Sequence, residues 1–223
     1  MKKRILMVAT LLALAITAAF SQVSWNVTAG MNMMNWTPID NADLKVGGYA
    51  GVGMQYSFAR IWSLQPSLLF VNKGARMENK DEGVKAVASP KYLELPVLVG
   101  WHLPLRAKGQ AFVIKFGPYF AYGLGGNLSF EGYDAQIGRV KRKWPLFKKQ
   151  KLDKDGNPTE DSGLGAKRFD VGLKVGVAYE FHRFFVEASG EVGLTDLYKY
   201  EEGFDTTTYV SNVGLSIGVG FKF

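Results

Sequence analysis

Cysteine is absent from the 223 residues, and histidine occurs only at His102 and His182. The first absence excludes disulfides and thiolate metal sites. The second leaves little for a Ser/His/acid hydrolase, which needs an imidazole within reach of both a nucleophile and an acid. Beyond residue 20 no apolar run approaches the roughly 20 residues that a spanning helix needs. Any membrane residence of the mature chain must therefore use strands. Acidic residues are missing from 139–151, which holds seven basic ones: Arg139, Lys141, Arg142, Lys143, Lys148, Lys149 and Lys151. The formal net charge is +7, and without these seven and without Lys2, Lys3 and Arg4 it is −3. The basicity is local. A nucleic-acid-binding domain would spread it over a structured face, so no nucleic-acid partner is expected.

What is present begins with a leader. Lys2, Lys3 and Arg4 precede an apolar run over 5–20, and Ala19-Phe20-Ser21 offers small residues for cleavage. This is the pattern of a secretory signal peptide over 1–21, leaving 22–223 as one domain. Aromatics and gaps are both plentiful, with 15 Phe, 10 Tyr, 5 Trp and 26 Gly. Through the mature chain an alternation of period two recurs eight times, at 25–33, 46–58, 62–72, 91–103, 111–124, 169–181, 184–194 and 209–223. Period two predicts strands. Over 169–181 it sets Phe169, Val171, Leu173, Val175, Val177, Tyr179 and Phe181 against Asp170, Gly172, Lys174, Gly176, Ala178 and Glu180. Eight is an even number, and each segment is about long enough to cross hydrocarbon at a tilt.

Alternation alone leaves open which face is outside. A soluble barrel would turn the greasy face inward and solvate the other. Here the polar face is rich in Gly, a poor strand former but one that fits a narrow eight-stranded lumen. The connections also alternate in length: 59–61, 104–110 and 182–183 are short, whereas 34–45, 73–90, 125–168 and 195–208 are long. Short turns on one side and long loops on the other suit an outer-membrane barrel. Finally, the greasy face carries an aromatic at every short-turn end: Trp25, Phe58, Trp62, Trp101, Phe112, Phe181, Phe184 and Phe223. Such rings belong at headgroup level. The expected fold is all-β, an eight-stranded antiparallel up-and-down transmembrane β-barrel of the bacterial outer membrane.

Several runs resemble a known family. Ser63-Leu-Gln-Pro-Ser-Leu-Leu-Phe-Val-Asn-Lys-Gly74, Lys91-Tyr-Leu-Glu-Leu-Pro-Val-Leu-Val99, Phe116-Gly-Pro-Tyr-Phe120 and Glu187-Ala-Ser-Gly-Glu-Val-Gly-Leu-Thr195 follow in the order found in PorT-like outer-membrane β-barrels. The resemblance implies a small barrel without a catalytic motif, and its namesake implies an accessory role in type nine secretion. The final alternating strand, ending in Phe221 and Phe223, resembles the signal read by the barrel assembly machinery.

Glu94, Lys115, Asp170, Lys174, Glu180, Glu187, Glu191 and Lys222 fall on the inward face. Isolated burial of a charge costs several kcal/mol, so they are expected to pair across the lumen and plug it. The alternative is a proton or ion path. Asp153, Asp155 and Asn157 suggest a calcium loop, but Pro158 and Leu164 stand where its Gly and bidentate Glu belong. No metal, cofactor or enzymatic activity is expected. The seven cations of 139–151 lie in a loop expected outside the cell, where outer-membrane lipid and lipopolysaccharide present dense phosphate. Trp144 and Phe147 would rest at headgroup level while the cations reach phosphate. A surface interaction role is the leading expectation, and a secretion accessory the alternative.

Overall fold

The computed structural model describes residues 22–37, 42–79, 84–134, 138–148, 163–197 and 210–223. The signal peptide expected over 1–21 lies outside them. Among the described residues ten strands form: β1 (Val23–Thr37), β2 (Ala42–Ala59), β3 (Trp62–Asn72), β4 (Ala75–Asn79), β5 (Val84–Pro104), β6 (Gln110–Asp134), β7 (Gly138–Pro145), β8 (Phe169–Phe181), β9 (Phe184–Gly193) and β10 (Ser211–Lys222). Eight of them close a ring in the order β1-β2-β3-β5-β6-β8-β9-β10, antiparallel at every step. Closure runs from Asn26↔Lys222 to Thr37↔Ser211. The ring strands are the eight expected from alternation, and their short connections fall where expected.

Outward residues form a continuous apolar belt. Met31, Val52, Leu68, Leu95, Phe116, Val175, Val186 and Ile217 are all exposed, as a surface solvated by lipid must be. All eight aromatics of the short-turn end lie on it, and Phe70, Tyr122 and Phe169 mark the opposite edge.

The remaining strands, β4 and β7, correct the expected loops. Residues 73–90 hold β4 and the first part of β5, and 125–134 simply continue β6 before β7 returns along it. β3 and β4 share one register against β5, from Asn72↔Lys91 to Arg76↔Val87, so they are one strand interrupted at Lys73 and Gly74. Gly74 takes φ 120°, a conformation open to glycine, and a side chain there would strike the Ala88 carbonyl. β7 continues the wall above β8, pairing with β6 from Asn127↔Pro145 to Asp134↔Gly138. Half of the barrel wall thus stands well above the apolar belt on the long-loop side. Alternation over so few residues, broken by Gly74, is too short to read as a strand.

Candidate functional site

Inside the ring, charged side chains gather in three tiers. Nearest the short turns, the Lys222 ammonium donates to Glu180 Oε1 at 2.6 Å and Gln55 Oε1 at 2.8 Å. One level up, Lys115 pairs with Glu187, which also accepts from Tyr49 Oη at 3.1 Å and Thr28 Oγ1 at 3.4 Å. The third tier is a square. Lys73 Nζ lies 2.7 Å from both Glu94 and Glu191, and Lys174 Nζ bridges the same two carboxylates at 2.9 and 2.8 Å. Beside it Asp170 accepts from Asn212 Nδ2 at 2.8 Å, Thr195 Oγ1 at 2.9 Å and Tyr119 Oη at 3.2 Å. Each carboxylate has a cation or several donors, the condition for tolerating charge where water is scarce.

All eight inward charges read from alternation are here. Two lysines are added: Lys45, buried and donating to Asn72 Oδ1 at 2.9 Å, and Lys73, fully buried and 4.1 Å above the Tyr119 ring. The signal for the second was parity: Leu69 and Val71 face inward, and the next odd position is Lys73. Inward rings are a second addition. Tyr119 and Phe185 are buried among residues expected to be small or charged.

Little space remains. A cavity of about 50 Å³, room for a few waters, lies between the lower tiers and is lined by Gln55, Lys115, Glu180, Phe185, Glu187 and Lys222 among others. Above it Lys73, Glu94, Asp170 and Tyr119 have no exposure at all, so no water-lined path passes the third tier.

The long-loop mouth is capped. Trp36, Ala75, Ala88, Leu146, Leu197 and Val210 form a buried apolar cluster, with Leu128, Phe147 and Leu164 packed against it. Leu146 and Phe147 follow β7 directly. The Phe147 ring meets Tyr92 edge-on at 5.9 Å, and the Arg168 guanidinium stands 5.3 Å from its centroid. Phe147 therefore plugs the mouth and does not rest at headgroup level. Trp144 packs against Phe130 across the hairpin, 6.3 Å between centroids.

The basic segment divides. Lys141, Arg142 and Lys143 are exposed on β7, and Lys148 is exposed just after it. Arg139 is described in its backbone only, and Lys149 and Lys151 lie outside the described residues, as do Asp153, Asp155 and Asn157. Register lines up Glu78, Lys85, Glu131 and Lys141 across β4, β5, β6 and β7, a row of alternating sign. Lys141 Nζ closes on Glu131 at 2.8 Å. This acidic partner lies outside the basic window, so composition alone could not reveal it.

Ser63 Oγ and His102 Nε2 are 2.8 Å apart, the one serine–histidine contact among the described residues. Ser63 is fully buried, its Oγ also accepts from Gln65 Nε2 at 2.9 Å, and nearby Glu180 is held by Lys222. A nucleophile so enclosed meets no substrate.

A family model described as "Outer membrane protein beta-barrel domain" matches residues 17–199. No curated protein matches the sequence. Among solved structures, the attachment invasion locus protein Ail of Yersinia pestis is 12% identical over 91% of this chain and 99% of its own, with TM-score 0.44. Neisserial surface protein A is 11% identical over 90% and 99%, with TM-score 0.39. The N-terminal β-barrel domain of Pseudomonas aeruginosa OprF is 11% identical over 89% and 97%, with TM-score 0.34. These likenesses say nothing of function.

Proposed function

Because the chain belongs to the outer membrane protein β-barrel family and resides in the bacterial outer membrane, we propose that it acts there as a closed, non-catalytic barrel whose β6–β7 hairpin binds the lipopolysaccharide surface. One observation carries this reading: a strand on the long-loop side presents Lys141, Arg142 and Lys143 to solvent, with Lys148 close behind, above a lumen filled by paired charges. Phosphates of lipid A and core sugar are the dense anions at that height, and they attract Lys and Arg over a screening length of about 8–10 Å. Changing Lys141, Arg142, Lys143, Lys148, Lys149 and Lys151 to Gln should leave folding intact, since an exposed pair such as Lys141–Glu131 contributes at most about 1 kcal/mol. Binding of lipopolysaccharide at low salt should weaken by at least about tenfold. Equal binding by variant and parent would overturn the reading.

A secretion accessory of the PorT-like kind is the second reading, and the runs quoted above favour it. Gln65 and Pro66 in β3 pair with Leu98 and Val97 in β5. Tyr92, Glu94 and Pro96, in the second run, are buried. Those runs thus build the barrel wall, with alternate residues facing lumen and lipid, and leave the secretion role ranked below the lipid one.

The barrel assembly machinery is a further proposed partner, with Phe221 and Phe223 as its signal. Their rings stack edge-on along β10, 5.6 Å between centroids, and Phe184 continues the row at 5.1 Å. Phe223→Asp places an acid at the interface, where a charge costs about 0–1 kcal/mol. Refolding into detergent should hardly change, while the folded band recovered from outer-membrane fractions should fall several-fold. An unchanged cellular yield would remove the signal.

A further inference from the structure

The short-turn end carries a charge pattern that neither the lumen nor the hairpin explains. Arg60 stands in the β2–β3 turn, Arg106 and Lys108 in the β5–β6 turn, and Arg183 in the β8–β9 turn. All four are exposed, and none has an ion-pair partner among the described residues. Every described carboxylate side chain lies elsewhere. Glu180, the nearest, points into the lumen and pairs with Lys222. The others line the lumen above it or stand beyond the opposite rim.

The backbone holds these turns in place. His102 N–H donates to the Ile61 carbonyl at 2.8 Å, fixing the first turn against β5. Leu105 N–H donates to the Gln110 carbonyl at 3.0 Å, closing the second. His182, at φ 56°, donates its N–H to the Gly109 carbonyl at 2.7 Å, binding the second turn to the third. Lys222 N–H reaches the Arg183 carbonyl at 2.7 Å. The cations therefore stand at fixed places around the rim.

Depth is set by the aromatics. Phe58, Trp62, Trp101, Phe112, Phe181 and Phe184 lie within a few residues of the turn cations and face lipid. Rings of this kind sit at headgroup level, which puts the cations level with phosphate. We infer that the short-turn rim is a binding surface for anionic phospholipid headgroups of the periplasmic leaflet, with Arg60, Arg106, Lys108 and Arg183 as the phosphate contacts. Distribution selects lipid over protein. The cations are spread over three of the hairpins round the circumference, each beside lipid-facing rings, whereas a protein partner would be met by a patch on one side. Arg suits the task because its planar fork engages phosphate through two hydrogen bonds.

The full mature barrel is refolded into vesicles of phosphatidylcholine containing brominated phosphatidylglycerol or brominated phosphatidylcholine, free of lipopolysaccharide. In a Trp144→Phe background, quenching of tryptophan fluorescence reports the lipid at the rim, because Trp25, Trp62 and Trp101 lie at this end and Trp36 is buried in the cap. The parent should favour the anionic lipid about threefold or more, and salt should erode the preference. The combined variant Arg60→Gln, Arg106→Gln, Lys108→Gln and Arg183→Gln should fall to parity. A second variant, with Lys in place of the three arginines, should keep most of the preference. If the combined variant fails to fold, the four single changes give the same reading, each removing part of the preference. Parity in the parent, or an undiminished preference in the Gln variants, overturns the inference. So does a parent at parity that captures an acidic periplasmic protein through these cations. The hairpin cations are untouched throughout, so this result and the lipopolysaccharide result stand or fall separately.

Discussion

Replacing Lys73 by Met should destabilise the barrel by about 3–5 kcal/mol, the usual cost of removing one partner from a buried ion pair. The side chain is fully buried and lies 2.7 Å from each of Glu94 and Glu191. In the parent, Lys73 and Lys174 face Glu94, Glu191 and Asp170. Without Lys73, one ammonium is left for three carboxylates in a place water does not reach. Adding Glu94→Gln restores the original balance of charge, so the double variant should recover a large part of the loss. The measurement is the urea midpoint in detergent micelles, read by the heat-modifiable band and by tryptophan emission. A Lys73→Met midpoint equal to that of the parent would mean that the square contributes nothing. Failure of Glu94→Gln to rescue would mean that Lys73 acts through packing on Tyr119 and not through charge.

Lys73 also shows where sequence reasoning ends. Eight strands, their inward charges and their aromatic ends were legible because period two is a local property, and a barrel wall repeats it for ten residues or more. The strand carrying Lys73 was expected to stop at Asn72. Gly74 and the short run of β4 interrupt the pattern there, and only pairing with β5 shows that the wall continues. β7 escaped for a related reason. A strand crowded with cations resembles a solvated loop until Glu131 and Lys85 are placed beside it.

Aromatic residues expose a different limit. Tyr119 and Phe120 are adjacent, yet Tyr119 is fully buried and Phe120 faces lipid. Parity alone separates them, and composition does not. Phe147 was expected at the headgroups on composition, but its chain bends inward after Pro145 and the ring fills the mouth beside Tyr92. That outcome depends on the shape of a cap assembled from Trp36, Ala88, Leu197 and Val210, residues far apart in sequence. The part of the site built by single strands was readable. The part built by contacts between distant segments was not.

Glycine on the inward face was legible as a sign of a narrow lumen, and one row of residues says what the space is for. Tyr49 on β2 lies opposite Gly30 on β1, which lies opposite Gly218 on β10, which lies opposite Glu187 on β9. The tyrosine ring crosses both glycines, and its hydroxyl meets the Glu187 carboxylate at 3.1 Å. A Cβ on Gly30 would come 2.6 Å from the ring, and one on Gly218 would come 2.9 Å from Cζ and collide with the hydroxyl. Gly218→Val should therefore cost about 3 kcal/mol or more, from overpacking and from the hydrogen bond lost to a carboxylate. Tyr49→Ala should cost a similar amount, about 3–5 kcal/mol, by leaving a cavity over the glycine pair. The two changes touch the same space, so they should not add. The double variant should be more stable than the sum of the singles by at least about 1 kcal/mol, the range seen for residues in direct contact. Urea midpoints of the four proteins complete the cycle. Strict additivity would show that Tyr49 does not lie across Gly218.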